Sequence, residues 1–139
     1  MKQEFHVTFE QAKTLKKIGY PKKARYAGYS NKGQFYSYDE LMADGHYTDS
    51  EAWSTLGDMV HYVAPNLYEV RDWLAKKGID ILPSRIVDKT TNKFTDRYIA
   101  KCILDSCGWC PTPPTSTYYD AMKAGIEWAI EYLSNKNQK

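Results

Sequence analysis

The sequence predicts an α+β domain, an antiparallel sheet of three to four strands packed with three main helices. Helix-start signals at Thr8, Asn66 and Thr117 are each followed by apolar residues at helical spacing. Two pairs of β-rich runs are each joined by a polar turn. Helices scattered among hairpins, rather than alternating with single strands, favour α+β over a βαβ layout.

The first helix is expected over residues 9–18. Thr8 can cap a backbone N–H while Gln11 reaches back, and Phe9, Ala12, Leu15 and Ile18 share a face before Gly19 supplies a stop. Residues 25–30 and 34–38 flank Asn31-Lys32-Gly33, a turn with a glycine able to take positive φ, and so read as a hairpin. Residues 41–62 are ambiguous. Trp53, Leu56, Val60 and Val63 keep helical spacing behind Thr48 and Glu51, but Gly57 weakens the pattern, so one short helix or an ordered loop is expected.

A second helix follows Pro65, with Leu67, Val70, Trp73 and Leu74 on one face and Gly78 at its end. Residues 79–87 and 94–104, rich in isoleucine and aromatics, form a second hairpin around the polar loop 88–93. Pro83 cannot donate to a ladder, so its strand belongs at an edge or is bulged. The last helix opens at Thr117 and Asp120 and carries Tyr119, Met122, Ile126, Ala129, Ile130 and Leu133. Residues 1–134 read as one domain. Residues 135–139 read as a disordered C-terminal tail, because nothing in them can be buried.

Apolar residues make up 42% and charged residues 26% of the 139, ordinary globular usage that supports one core. The net charge of +2 is too small to announce a nucleic-acid or membrane partner. No export signal or membrane-spanning run is read, so the chain is expected to be cytoplasmic, with reduced thiols.

Charge is nevertheless segregated. Residues 11–25 hold six basic residues (Lys13, Lys16, Lys17, Lys22, Lys23, Arg25) and no acid, while residues 39–58 hold six acids and no lysine or arginine. Two solvated faces that attract each other account for this. The alternative is that the basic segment, with Tyr20, Tyr26 and Tyr29 interleaved, meets phosphates or an acidic protein surface. Tyr36, Tyr38, Tyr98, Tyr118 and Tyr119 are further candidates for stacking or interface contacts, most of them expected to sit half-buried on the sheet.

All three cysteines lie within "CILDSCGWCP", residues 102–111. Cys107 and Cys110 have C-x2-C spacing, but a zinc site needs four ligands, and His6, His46 and His61 are widely separated. A redox pair at a helix start is opposed by Pro111-Thr112-Pro113-Pro114. Cys102 is expected to be a buried small hydrophobe beside Tyr98, Ala100 and Leu104, and Gly108-Trp109 to fold as a loop over the core edge. Neither metal nor disulfide is predicted. His46, near Asp44, Asp49 and Glu51, could be a general base, yet no nucleophile, phosphate loop or metal motif accompanies it. No catalytic, cofactor-binding or metal residue is therefore assigned, and no cofactor is expected.

One resemblance emerges. Val7-Thr8-Phe9-Glu10-Gln11-Ala12-Lys13, Ala64-Pro65-Asn66-Leu67, Trp73-Leu74-Ala75-Lys76-Lys77, the isoleucine-rich hairpin and Thr117-Tyr118-Tyr119-Asp120-Ala121-Met122 together resemble short uncharacterised proteins encoded by phages and prophages of gut bacteria. Asn66 replaces the threonine usual there, and the cysteine- and proline-rich loop departs from the pattern. The resemblance implies a mobile-element setting and carries no activity. The expected role is a non-enzymatic accessory or interaction protein. An unknown protein partner is expected, a homodimer is an option, and nucleic-acid binding through residues 11–25 or a small enzyme are the alternatives.

Overall fold

Gln3–Phe5 forms a 3-10 turn, and helix α1 spans Phe9–Lys17. The Gln11 N–H donates to Thr8 Oγ1 at 3.2 Å and the Thr8 N–H donates to Gln11 Oε1 at 2.9 Å. This reciprocal cap stabilises the helix by about 1 kcal/mol. Ala12 and Leu15 are its buried residues, and Gly19, at φ 95°, turns the chain out of the helix. The computed structural model describes residues 3–21, 27–43, 45–104 and 108–137. Lys22, Lys23, Arg25, Tyr26, Asp44, Cys107, Gln138 and Lys139, each part of an expectation above, lie outside the described residues.

The chain divides into two compact units, Met1–Leu67 and Tyr68–Lys139. In the first, β1 (Ala27–Tyr29) pairs antiparallel with β2 (Phe35–Ser37) on one side and β3 (Tyr62–Val63) on the other. Gly33 takes φ 89° in the turn, as the hairpin required. Gly28 is needed for space. A Cβ there would lie 2.2 Å from Val60 Cγ1 and 2.8 Å from the Tyr62 carbonyl oxygen.

Residues 38–59 hold two helices, α2 (Tyr38–Ala43) and α3 (Asp49–Met59), where one short helix or a loop was expected. Tyr38 starts α2 instead of ending β2, because Ser37 Oγ accepts from the Glu40 N–H at 3.2 Å and bends the chain into a helical turn. Thr48 and Glu51 form a second reciprocal cap, and nothing lies within 4 Å of the Cβ position of Gly57, so the glycine is accommodated.

In the second unit, α4 (Leu67–Lys76) ends at Gly78, φ 88°, and leads into β4 (Ile79–Asp88). β4 pairs with β5 (Lys93–Leu104), which pairs in turn with β6 (Gly108–Pro111), all antiparallel in the order β4-β5-β6. Pro83 lies on an edge strand, as a residue without an N–H requires, and is paired in register with Ala100; the register shifts only further along, between Arg85 and Val87. Helix α5 (Tyr118–Asn137) packs on β4 and β5, and Thr117 Oγ1 accepts from the Asp120 N–H at 3.0 Å at its start.

The class is α+β, with five α-helices and two three-stranded antiparallel sheets among the described residues. Two differences from expectation have a physical origin. The single sheet is replaced by two because each hairpin recruits its own third strand, β3 beside β1 and β6 beside β5. Gly108-Trp109, expected as a loop, begin that third strand, Gly108–Pro111. An edge position tolerates Pro111 opposite Lys101. Helix α5 continues through Asn137, into the segment expected to be a tail.

Candidate functional site

The aromatic core of the first unit is built around Tyr29, which is 1% exposed. Its hydroxyl donates to the Val7 carbonyl at 2.7 Å and accepts from Gln3 Nε2 at 3.3 Å, and its ring meets Phe9 and Phe35 at 5.6 and 5.3 Å. Burial raises its pKa above the usual tyrosine value, opposed by the Gln3 hydrogen bond. Tyr29 is thus a structural residue and does not present its ring for stacking on a ligand.

The three histidines are separated by environment. His6 is buried, donates from Nδ1 to the Ala64 carbonyl at 2.6 Å and lies 5.4 Å from Phe35. Its Nε2 has no partner among the described residues. His61 is exposed, with its ring edge-on to Tyr62 at 4.7 Å. His46 is exposed, and the two described carboxylates near it in sequence are engaged elsewhere. Asp49 accepts the Tyr38 hydroxyl, and Glu51 caps α3 through Thr48. That cap, the Thr48 backbone N–H first and its hydroxyl second, lowers the Glu51 pKa. No acid–base pair is assembled around a histidine among the described residues.

The basic helix is likewise partly engaged. Lys13 pairs with Glu10 at 3.2 Å and stands 4.8 Å from the Phe9 ring centre, and Lys16 stands 5.0 Å from that of Tyr62. The ion pair offsets the charge of Lys13, and the cation–π contacts hold both ammonium groups against ring faces of the same unit.

The acidic side has a different character. Between Gly33 and Val70 the sequence has no lysine or arginine. Here Tyr38 stacks on Trp53 with ring centres 4.6 Å apart and an interplanar angle of 24°. The Tyr38 hydroxyl donates to Asp49, one turn before Trp53 on α3, and this bond, helped by slight desolvation and by the charges of Asp49 and Asp39, raises the phenol pKa. Trp53 and Met59 remain 36% and 43% exposed, with Glu40, Glu51 and Asp58 also at the surface. The result is a flat aromatic pair in an anionic surround.

No family model, curated protein or solved structure matches this chain.

Two further features belong to the second unit. Val87 and Phe94 face each other across the β4–β5 hairpin and are both exposed, with the Arg85 guanidinium 5.6 Å from the Phe94 ring centre. Cys102 is buried, as its alternation along the strand predicts, and its thiol approaches the Gly125 carbonyl at 3.7 Å. Burial chiefly, and Cys110 next, push the Cys102 thiol up to about 11. Cys102 and Cys110 are register partners on β5 and β6, and both are free thiols. Among the described residues no group of three or more His, Cys, Asp or Glu side chains could hold a metal ion, and no helix is long and apolar enough to cross a membrane.

The sequence placed Trp53 on a helical face with Leu56, but only Leu56 is buried. The Tyr38–Trp53 stack depends on the turn between α2 and α3, for which local spacing carries no signal. The run without cations was the legible part.

Proposed function

We propose that this chain is a non-enzymatic accessory protein, of phage or prophage setting, that recognises a basic segment of another protein through the α2–α3 face. The carrying observation is the stack of the half-buried Tyr38 on the exposed Trp53 with Asp49 beside it, in a stretch free of lysine and arginine. An arginine from a partner would lie over the indole while its guanidinium pairs with neighbouring carboxylates. Removing such a contact weakens binding by about 1–2 kcal/mol, or about 5- to 30-fold. The setting is supported by the resemblance of the helix starts and the isoleucine-rich hairpin described above.

The test is a fluorescence titration of the whole protein with an arginine-rich peptide, and separately with single-stranded and duplex oligonucleotides, at low and physiological salt. The peptide is expected to bind and Trp53→Ala and Glu40→Lys to weaken it, with far-UV circular dichroism unchanged. Oligonucleotide binding that falls steeply with salt and is lost in Lys16→Glu/Lys17→Glu would replace this reading with nucleic-acid recognition by the basic segment. Absence of binding to either probe would remove both.

A further inference from the structure

We propose that Cys102 and Cys110 form a reversible cross-strand disulfide when the protein meets hydrogen peroxide, making the β5–β6 pair an oxidation site. The geometry comes from the register. Cys102 lies directly opposite Cys110 in the antiparallel ladder, so the two side chains leave the same face of the sheet. Two residues along, the Thr112 N–H donates to the Ala100 carbonyl at 2.9 Å, which marks that pair as hydrogen-bonded. By the alternation of such ladders, Cys102 and Cys110 also form a hydrogen-bonded pair, with Cα atoms about 5.5 Å apart. A disulfide spans that Cα separation, and the Cβ atoms, about 5.5 Å apart in such a pair, draw together by about 1–2 Å as the bond forms.

The two thiols differ in access. Cys110 is exposed, whereas Cys102 is 1% exposed with its sulfur beside the Gly125 carbonyl. Cys110 therefore reacts first. Its thiolate attacks one peroxide oxygen, the O–O bond breaks, hydroxide leaves, and a sulfenic acid remains. Cys102 then loses its proton and attacks the sulfenyl sulfur, the S–S bond forms, the S–O bond breaks, and water leaves. In total, two thiols lose two electrons and one peroxide becomes two waters. The second step is slow near neutral pH. A thiol raised to about 11 holds about a hundredfold less thiolate than an ordinary one, partly offset by its greater nucleophilicity, leaving it about tenfold slower. The bridge pins the short edge strand β6 to β5.

The test uses whole protein, wild type and Cys107→Ser, treated with hydrogen peroxide, alkylated under denaturing conditions and mapped without reduction by mass spectrometry. Cleavage after Lys101 and before Asp105 separates Cys102 from Cys110. A Cys102–Cys110 linked pair that accumulates in both proteins, faster at higher pH, and is reversed by dithiothreitol supports the proposal. Cys110→Ser is expected to slow Cys102 oxidation at least about tenfold. A bridge confined to Cys107 and Cys110 in the wild type, or Cys110 sulfinic acid with Cys102 fully alkylated in Cys107→Ser, would overturn it.

Discussion

Replacing Gly125 by alanine tests the packing of α5 on its sheet. In an open helical position the change gains about 1 kcal/mol of helix propensity. Here the new methyl would lie 2.6 Å from Ile81 Cγ2, 3.1 Å from Ala100 Cβ and 3.5 Å from Cys102 Sγ. Ile81 and Ala100 are 1% and 0% exposed, so neither can swing into solvent. Overpacking costs about 1–3 kcal/mol, and a 2.6 Å approach to a fully buried side chain falls in the upper half of that range, about 2–3 kcal/mol, so after the propensity gain the net loss is about 1–2 kcal/mol. Urea unfolding should show a lower midpoint at unchanged slope, and amide exchange in β4 and β5 should accelerate. Ile81→Leu, which lacks the branch at Cβ, should couple favourably with Gly125→Ala in a double-mutant cycle. A neutral or stabilising Gly125→Ala would refute the claim that the helix sits on the sheet at this distance.

The same change at Gly57 should have the opposite sign, a gain of about 0.5–1 kcal/mol by urea unfolding, because no atom lies within 4 Å of the new methyl. Tyr29→Phe should cost about 1–2 kcal/mol by leaving the buried Val7 carbonyl without its 2.7 Å donor. Because burial raises the Tyr29 pKa in the folded state, the unfolded phenol ionises first. The stability from this group is present below about pH 10 and lost as pH rises through the folded value. A pH series of unfolding midpoints should show a smaller alkaline loss in Tyr29→Phe. Thr48→Ala should remove about 1 kcal/mol from α3, and an NMR titration should find the Glu51 pKa partway back toward its ordinary value. In the parent, the stability linked to Glu51 is present above the usual carboxylate range and lost as pH falls through the lowered pKa.

Much of the local fold is legible in short stretches of sequence. The caps at Thr8 and Thr117 act over three residues, within reach of one side chain, and both are present. Gly33 and Gly78 adopt the positive φ that their turns demand. Pro83 lies on an edge strand because a missing N–H acts wherever the residue is placed. Residues 38–59 were harder to read, since Ser37 redirects the chain through a side-chain bond that competes with strand pairing.

For the candidate site, the sequence supplies the segregation of charge, and only the folded chain brings Tyr38 onto Trp53. Likewise alternation along β5 is enough to bury Cys102, while its position opposite Cys110 depends on residues 108–111 returning as a strand. By itself the sequence determined the α+β class, the starts of α1, α4 and α5 and the two hairpins, because caps, turns and periodicity act between near neighbours. The tertiary structure decided which third strand each hairpin recruits, which aromatics stay exposed and which cysteines meet. Those outcomes depend on contacts between residues distant along the chain, whose pairing no local spacing encodes.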